Sequence, residues 1–161
     1  MQVLDAGVDP TTGSPYIVME LLSGEDIDAL LSRLGPLPIP LALRIVAQAL
    51  TGLIPAHDKG IVHRDLKPSN LFLMTRAEAE PVVKVLDFGI AKMRAEAEGD
   101  GSSVKGNLTA TNSTLGSPAY MSPEQVRGAK TLDARSDLWS MGVVLYQLVS
   151  GAHTFEADAL S

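Results

Sequence analysis

The stretch IVHRDLKPSN, residues 61–70, sets two apolar residues ahead of His63, Arg64, Asp65, Lys67 and Asn70 and breaks the run with Pro68. A lone Asp or Lys in a loop is ordinarily a solvated residue. Here three charges of alternating sign and two further polar groups crowd one short segment behind an apolar pair. Ile61 and Val62 are expected to seat the loop in a core, and Pro68 to stiffen its turn. Such crowding suits a loop that presents several side chains to one point.

Working outward, PLALRIVAQALTGLIPAHDKG precedes the loop and reads as a long helix. Leu41, Ile45, Gln48, Ala49 and Leu53 run down one side of it. Pro55 should kink it or end it near Ile54, since an interior proline removes a hydrogen bond and clashes with the preceding turn. Before it, GEDIDALLSRLG places Ile27, Leu30, Leu31 and Leu34 at helical spacing, with Gly35 to end the helix and Pro36 to block its continuation. QVLDAGVD and PYIVMEL are β-rich runs separated by PTTGS, a hairpin pattern. After the loop, LFLM and VVKVLDF form two further β runs joined by the polar TRAEAEP. The RAEAE runs starting at residues 76 and 94 read as solvated turns or helix ends. Residues 93–115 are small and polar, a long loop. In SDLWSMGVVLYQLVSG, residues Leu138, Met141, Gly142, Leu145, Leu148 and Val149 form the apolar stripe of a buried helix closed by Gly151. No regular β-α alternation appears, so the fold class is α+β.

Phosphoryl transfer asks a protein for positioning and charge neutralisation rather than covalent chemistry. One carboxylate must orient a hydroxyl and accept its proton. A second, helped by an amide oxygen, can hold a hard cation. The opening stretch supplies Asp65, Lys67 and Asn70, and LDFGIAK, residues 86–92, supplies Asp87 with Gly89 behind it.

At these residues the sequence resembles a protein kinase. HRDLKPSN matches the catalytic-loop pattern H-R-D-L-x-x-x-N, DFG matches the metal-binding motif, and SPE at 122–124 stands where the family has A-P-E. Five fixed residues in eight arise by chance about once in a few million positions on uniform residue usage, and three motifs in the right order exclude coincidence. GSPAYMSPEQ and RSDLWSMGVVLYQLVSG are similar to bacterial serine/threonine kinases of the eukaryotic type.

The resemblance implies roles residue by residue. Asp65 is the base, Asn70 a metal ligand and Asp87 the main Mg²⁺ ligand. Lys67 meets the transferring phosphate, as in serine/threonine rather than tyrosine kinases. Ser117, where the family usually has Thr, bridges the base and this Lys. His63 packs as scaffold, and Asp137 anchors the catalytic loop's backbone. Met19 is the gatekeeper, the Glu20 carbonyl and Leu22 amide meet the adenine edge, and Phe72 floors the site where an aliphatic residue is usual. Asp26 either reaches the ribose or caps the helix beginning at Ile27. Arg64 is placed to bind a phosphorylated loop residue, Thr114 first, then Thr111, with Ser113 a third candidate. Glu124 lacks the arginine with which the family pairs it. ATP and Mg²⁺, with Mn²⁺ as a substitute, are the implied cofactors. The implied partners are proteins carrying Ser or Thr, including a second copy phosphorylated in trans.

Bulk properties bound these expectations. The 161 residues are 45% hydrophobic and 20% charged, values of an ordinary globular domain. A net charge of −6 lacks the basic footprint of a nucleic-acid binder. With no cysteine, neither disulfides nor thiolate metal sites are available. His57, His63 and His153 lack metal-ligand spacing. No apolar run is read as approaching the roughly 20 residues that span a bilayer, and the expected location is cytoplasmic, with membrane anchoring of a full-length protein left open.

The family also covers the ATP phosphates with G-x-G-x-x-G and pairs a β3 Lys with a helix Glu. No G-x-G-x-x-G occurs in these 161 residues, and the chain opens on what reads as a strand in progress. The expectation is a kinase-like fold truncated at both ends. Residues 1–22 would be the last strands of the smaller lobe and the hinge, and residues 23–161 the larger helical lobe. A fragment of an active enzyme, inactive in isolation, is then the first reading. A non-catalytic kinase-like binding module is the alternative, and a degraded gene product that folds poorly the third.

Overall fold

A computed structural model describes residues 3–76, 79–87, 118–129 and 131–154. Two antiparallel sheets carry the strands. β1 (Val3–Val8) and β2 (Pro15–Met19) form a hairpin with its side chains mostly exposed. Its turn is held by Asp9, whose Oδ1 accepts the amides of Thr11 and Thr12 at 2.7 and 3.2 Å. Those two amides, Thr11 first, keep the Asp9 carboxyl below its ordinary value.

The second sheet, in the order β3-β4-β5, comprises Gly24–Asp26, Leu71–Arg76 and Ala79–Val85. Arg76, Ala79 and Glu80 of the first RAEAE run therefore belong to strands of a hairpin. Gly24 is indispensable to this sheet. Its φ is +143°, and a Cβ there would lie 2.1 Å from the Leu73 carbonyl oxygen across the ladder. Gly24→Ala is expected to cost more than about 2 kcal/mol, because the clash is with backbone and the dihedral itself is strained. Urea denaturation checks this; a midpoint equal to that of the parent chain would contradict it.

α1 (Ile27–Leu34) buries Ile27, Leu30 and Leu31, but Leu34 at its end is exposed, contrary to the stripe read from sequence. Asp26 caps α1, its Oδ1 accepting the Ala29 amide at 2.8 Å, and Gly35 closes it with φ 71°. α2 (Ile39–His57) runs two residues past Pro55, so of the kink or early end expected near Ile54 the early end does not occur.

Ala42, Ile45, Val46, Ala49 and Leu53 of α2 enter the core, each large apolar side chain contributing about 1.5–3 kcal/mol on burial. Gln48 accepts the Val83 amide of β5 at 2.8 Å. Contrary to the reading of apolar runs, α2 is long and apolar enough to cross a membrane by length and composition, with a mean hydropathy of 1.5. Averaging over an 18-residue stretch dilutes its single charge, Arg44. Here, however, Arg44 pairs with Glu80 and Gln48 with β5, so that side of the helix faces protein.

α3 (Pro123–Val126) is a single turn, and α4 (Ala134–Ser150) packs on α2. Ser136, Asp137, Ser140, Met141, Val143, Val144, Gln147 and Leu148 are the buried residues of α4. The sequence stripe ran through Leu138, which is instead 51% exposed, and Gly142, which is also exposed. The helix is rotated to bring its polar residues inward because each has a partner there. Ser140 donates to the Tyr120 carbonyl at 2.8 Å, and the Tyr120 hydroxyl donates to Gln147 Oε1 at 2.6 Å. Gly151 ends α4 in the left-handed region at φ 74°.

Candidate active site

Residues 61–67 leave α2 and cross to a 3₁₀ turn, Pro68–Asn70, that leads into β4. Val62 and Leu66 are the buried apolar anchors of this loop; Ile61, expected to share that task, is 39% exposed. His63 is fully buried. Its Nε2 lies 2.7 Å from the Leu86 carbonyl, and its Nδ1 accepts the Asp65 amide at 3.3 Å. That pair of contacts requires the neutral tautomer protonated on Nε2. Burial depresses the His63 pKa below its ordinary value, against the raising influence of Leu86 and neighbouring carboxylates.

This depression has a pH consequence. Below the unfolded-state value of 6.5, the unfolded chain binds a proton that folded His63 resists. The stability is therefore fully present above that value and is lost as pH falls through the window beneath it, toward the lowered folded-state value. Melting temperatures taken from about pH 8 to about pH 5 should fall in the acid half of the range. The His63 ring resonances should not titrate at their ordinary value, and a normal titration would refute the assignment.

Asp137, buried in the first turn of α4, receives the loop. Its Oδ1 accepts the Arg64 amide at 2.9 Å, and its Oδ2 accepts the His63 amide at 2.9 Å. His57 Nε2, from the end of α2, lies 2.7 Å from the same Oδ2. Arg64 takes a left-handed conformation with φ 68°, and Asp65 follows it.

Asp65, Lys67 and Asn70 come together. Lys67 Nζ is 3.6 Å from Asp65 Oδ2. Asn70 Nδ2 donates to the Asp65 carbonyl at 2.7 Å and to Asp65 Oδ2 at 3.3 Å. Spending its NH₂ this way leaves Asn70 Oδ1 with no protein partner among the described residues, as a hard-cation ligand should be. The Asn70 carbonyl accepts the Leu86 amide at 2.8 Å while His63 takes the Leu86 carbonyl. Both peptide groups before Asp87 are thus tied to the loop. Asp87 is exposed and left-handed at φ 49°, a region Asp tolerates better than most residues. Among the described residues no three His, Asp or Glu side chains cluster to hold a metal. Mg²⁺ commonly binds through one or two carboxylates with water and substrate phosphates, so Asp87 and Asn70 fit that cation.

Met19 ends β2, and Glu20 and Leu22 lie in the segment between β2 and β3. The Glu20 side chain pairs with Lys84 of β5 at 3.1 Å. Phe72 sits on β4 opposite Asp26 and Lys84. Of the two alternatives for Asp26, the helix cap is the contact present. Glu124 accepts the Ser136 hydroxyl at 2.6 Å, which chiefly holds its carboxyl below the ordinary value. Ser117, Thr111, Ser113 and Thr114 lie outside the described residues.

Sequence reasoning missed His57, Lys84 and Gln125, each joined to the site by a side-chain bond over long sequence separation. For Gln125 a signal existed. S-P-E-Q is a capping-box pattern, and the structure shows both of its reciprocal bonds.

The sequence profile of the protein kinase domain matches residues 6–160. The chain is 45% identical over 159 residues to serine/threonine-protein kinase pkn3 of Myxococcus xanthus, covering 99% of this chain and 28% of that protein. It is 41% identical over 159 residues to serine/threonine-protein kinase PknB of Mycobacterium leprae, covering 98% of this chain and 24% of that one. The crystal structure of a double mutant of the Mycobacterium tuberculosis PknI kinase domain superposes with a TM-score of 0.68 at 26% identity, over 96% of this chain and 51% of that one. The chain thus spans about a quarter of these curated relatives and half of the solved domain. With the Asp65–Lys67–Asn70 cluster on an α+β scaffold, the chain belongs to the protein kinase domain family, and it is similar in sequence to bacterial serine/threonine kinases.

Proposed function

We propose that this chain carries the base- and metal-holding half of an ATP- and Mg²⁺-dependent kinase acting on Ser and Thr hydroxyls of proteins. The observation that carries this reading is the Asp65–Lys67–Asn70 cluster, held on a loop whose backbone is fixed by buried Asp137. A substrate hydroxyl hydrogen-bonded to Asp65 is oriented toward the terminal phosphorus of ATP. Its oxygen forms the new P–O bond, the bond to the bridging oxygen breaks, ADP departs, and the hydroxyl proton passes to Asp65. Lys67 offsets charge on the transferred group. Asn70 Oδ1 and Asp87 would hold Mg²⁺, which when bound neutralises phosphate charge.

Residues 1–22 then belong with the ATP-covering lobe and 23–161 with the larger lobe, in a cytoplasmic catalytic domain. Because the 161 residues hold no G-x-G-x-x-G, the chain by itself should transfer little phosphate. The test is Mg²⁺-dependent labelling of a protein substrate by a domain joining this chain to a glycine-rich loop and its lysine, repeated with Asp65→Ala. Labelling abolished by the substitution supports the reading. No labelling by the intact domain would favour a kinase-like binding module.

A further inference from the structure

Arg64 and Asp87 are the only non-glycine residues with positive φ among those described. A left-handed L-residue crowds its own side chain against the following carbonyl, so the conformation persists where surroundings impose it. At Arg64 both flanking peptide groups are held. The N–H before the side chain enters Asp137 Oδ1 at 2.9 Å. The C=O after it accepts a hydrogen bond from Gln125 Nε2, also at 2.9 Å. Gln125 lies 61 residues away in sequence.

The other end of the same amide is also committed. Gln125 Oε1 accepts the Ser122 amide at 3.0 Å, and the Ser122 hydroxyl accepts the Gln125 amide at 3.4 Å. With its oxygen fixed by a backbone donor, the amide has one orientation, and its NH₂ must point at Arg64. The one-turn helix α3 is thereby bonded to the peptide that links Arg64 to Asp65.

We propose that Gln125 is a positioning residue for the catalytic loop, a latch that holds Arg64 left-handed and so sets the direction in which Asp65 leaves the turn. This rests on the kinase reading only for what Asp65 then does. The latch itself is a matter of backbone geometry. Withdrawal of residues 122–126 removes the bond to the Arg64 carbonyl while the Asp137 bond to the Arg64 amide stays.

Gln125→Glu separates the two bonds. Glutamate still accepts the Ser122 amide, completing the S-x-x-E capping box, but has no hydrogen to give Arg64. In the full 161-residue chain, ¹⁵N-resolved NMR should show loss of the strong intraresidue amide–Hα NOE that a left-handed Arg64 produces. Hydrogen exchange of the Arg64 and Asp65 amides should quicken about ten-fold, while the Ser122 and Gln125 amides stay protected. An unchanged Arg64 NOE and unchanged exchange would overturn the latch. So would equal loosening of the Ser122 and Arg64 amides, which would make Gln125 a cap alone. If Gln125→Glu does not fold, Arg64→Gly in the same chain decides, since glycine holds positive φ without help. Recovery of folding in the double variant supports the latch, and failure to recover overturns it. None of these readouts needs phosphotransfer, so an absence of kinase activity would count against the functional reading and leave the latch standing or falling on its own.

Discussion

Asp137→Asn should destabilise the chain by about 3–5 kcal/mol, a large share of the roughly 5–15 kcal/mol that holds an ordinary domain together. The reason is geometric. Asp137 is 1% exposed and meets backbone donors on both oxygens, Arg64 N–H at Oδ1 and His63 N–H at Oδ2. A carboxamide has one oxygen and one NH₂. Whichever way it turns, a buried NH₂ opposes a buried N–H that cannot change its role. The His57 ring could adjust by changing tautomer, but the two amides cannot. The side-chain volume is almost unchanged, so packing does not confuse the result. Urea denaturation gives the number, and a loss below about 1 kcal/mol would show that the loop is held by its apolar anchors alone.

Asp65→Ala should lower kcat for protein phosphorylation by about 10²–10⁴-fold, the contribution of a positioned general base. The KM for ATP should stay within about two-fold, because in the proposed function Asp65 meets the hydroxyl rather than the nucleotide. The structure makes this substitution clean. Asn70 Nδ2 holds the Asp65 main-chain carbonyl at 2.7 Å, and the Asp65 amide rests on His63. Both survive removal of the carboxylate, so the loop keeps its course. Equal thermal stability of parent and variant is part of the expected result, measured in a domain that supplies the phosphate-covering loop. A kcat within about three-fold of the parent would remove Asp65 from the chemistry. A joint fall of kcat and stability would mean that the residue serves structure instead.

These two residues mark different degrees of legibility. Asp65, Asn70 and Asp87 stand out in sequence because their chemistry tolerates few substitutes and their spacing is short. Asp137 was named only through family resemblance, and its partners Arg64, His63 and His57 lie 73, 74 and 80 residues away. Lys84 and His57 left no comparable mark, and the capping-box pattern at Gln125 marks a helix start rather than a partner of the catalytic loop. A glutamine or a lysine fits many surfaces, and its use depends on which strand or loop comes to face it.

Local order was settled by the sequence wherever neighbouring residues carry the physics. Gly35 and Gly151 end helices by adopting positive φ, Asp26 and Ser122 begin them by accepting amides, and Asp9 holds the turn between β1 and β2. Tertiary structure alone decided which face of α4 turns inward. An apolar stripe through Leu138 was the natural reading, yet Leu138 is exposed and Ser136, Asp137, Ser140 and Gln147 are buried beside Met141 and Leu148. Their burial is favourable only because Glu124, the catalytic loop and Tyr120 supply the hydrogen bonds that desolvation removes, and those partners come from distant parts of the chain.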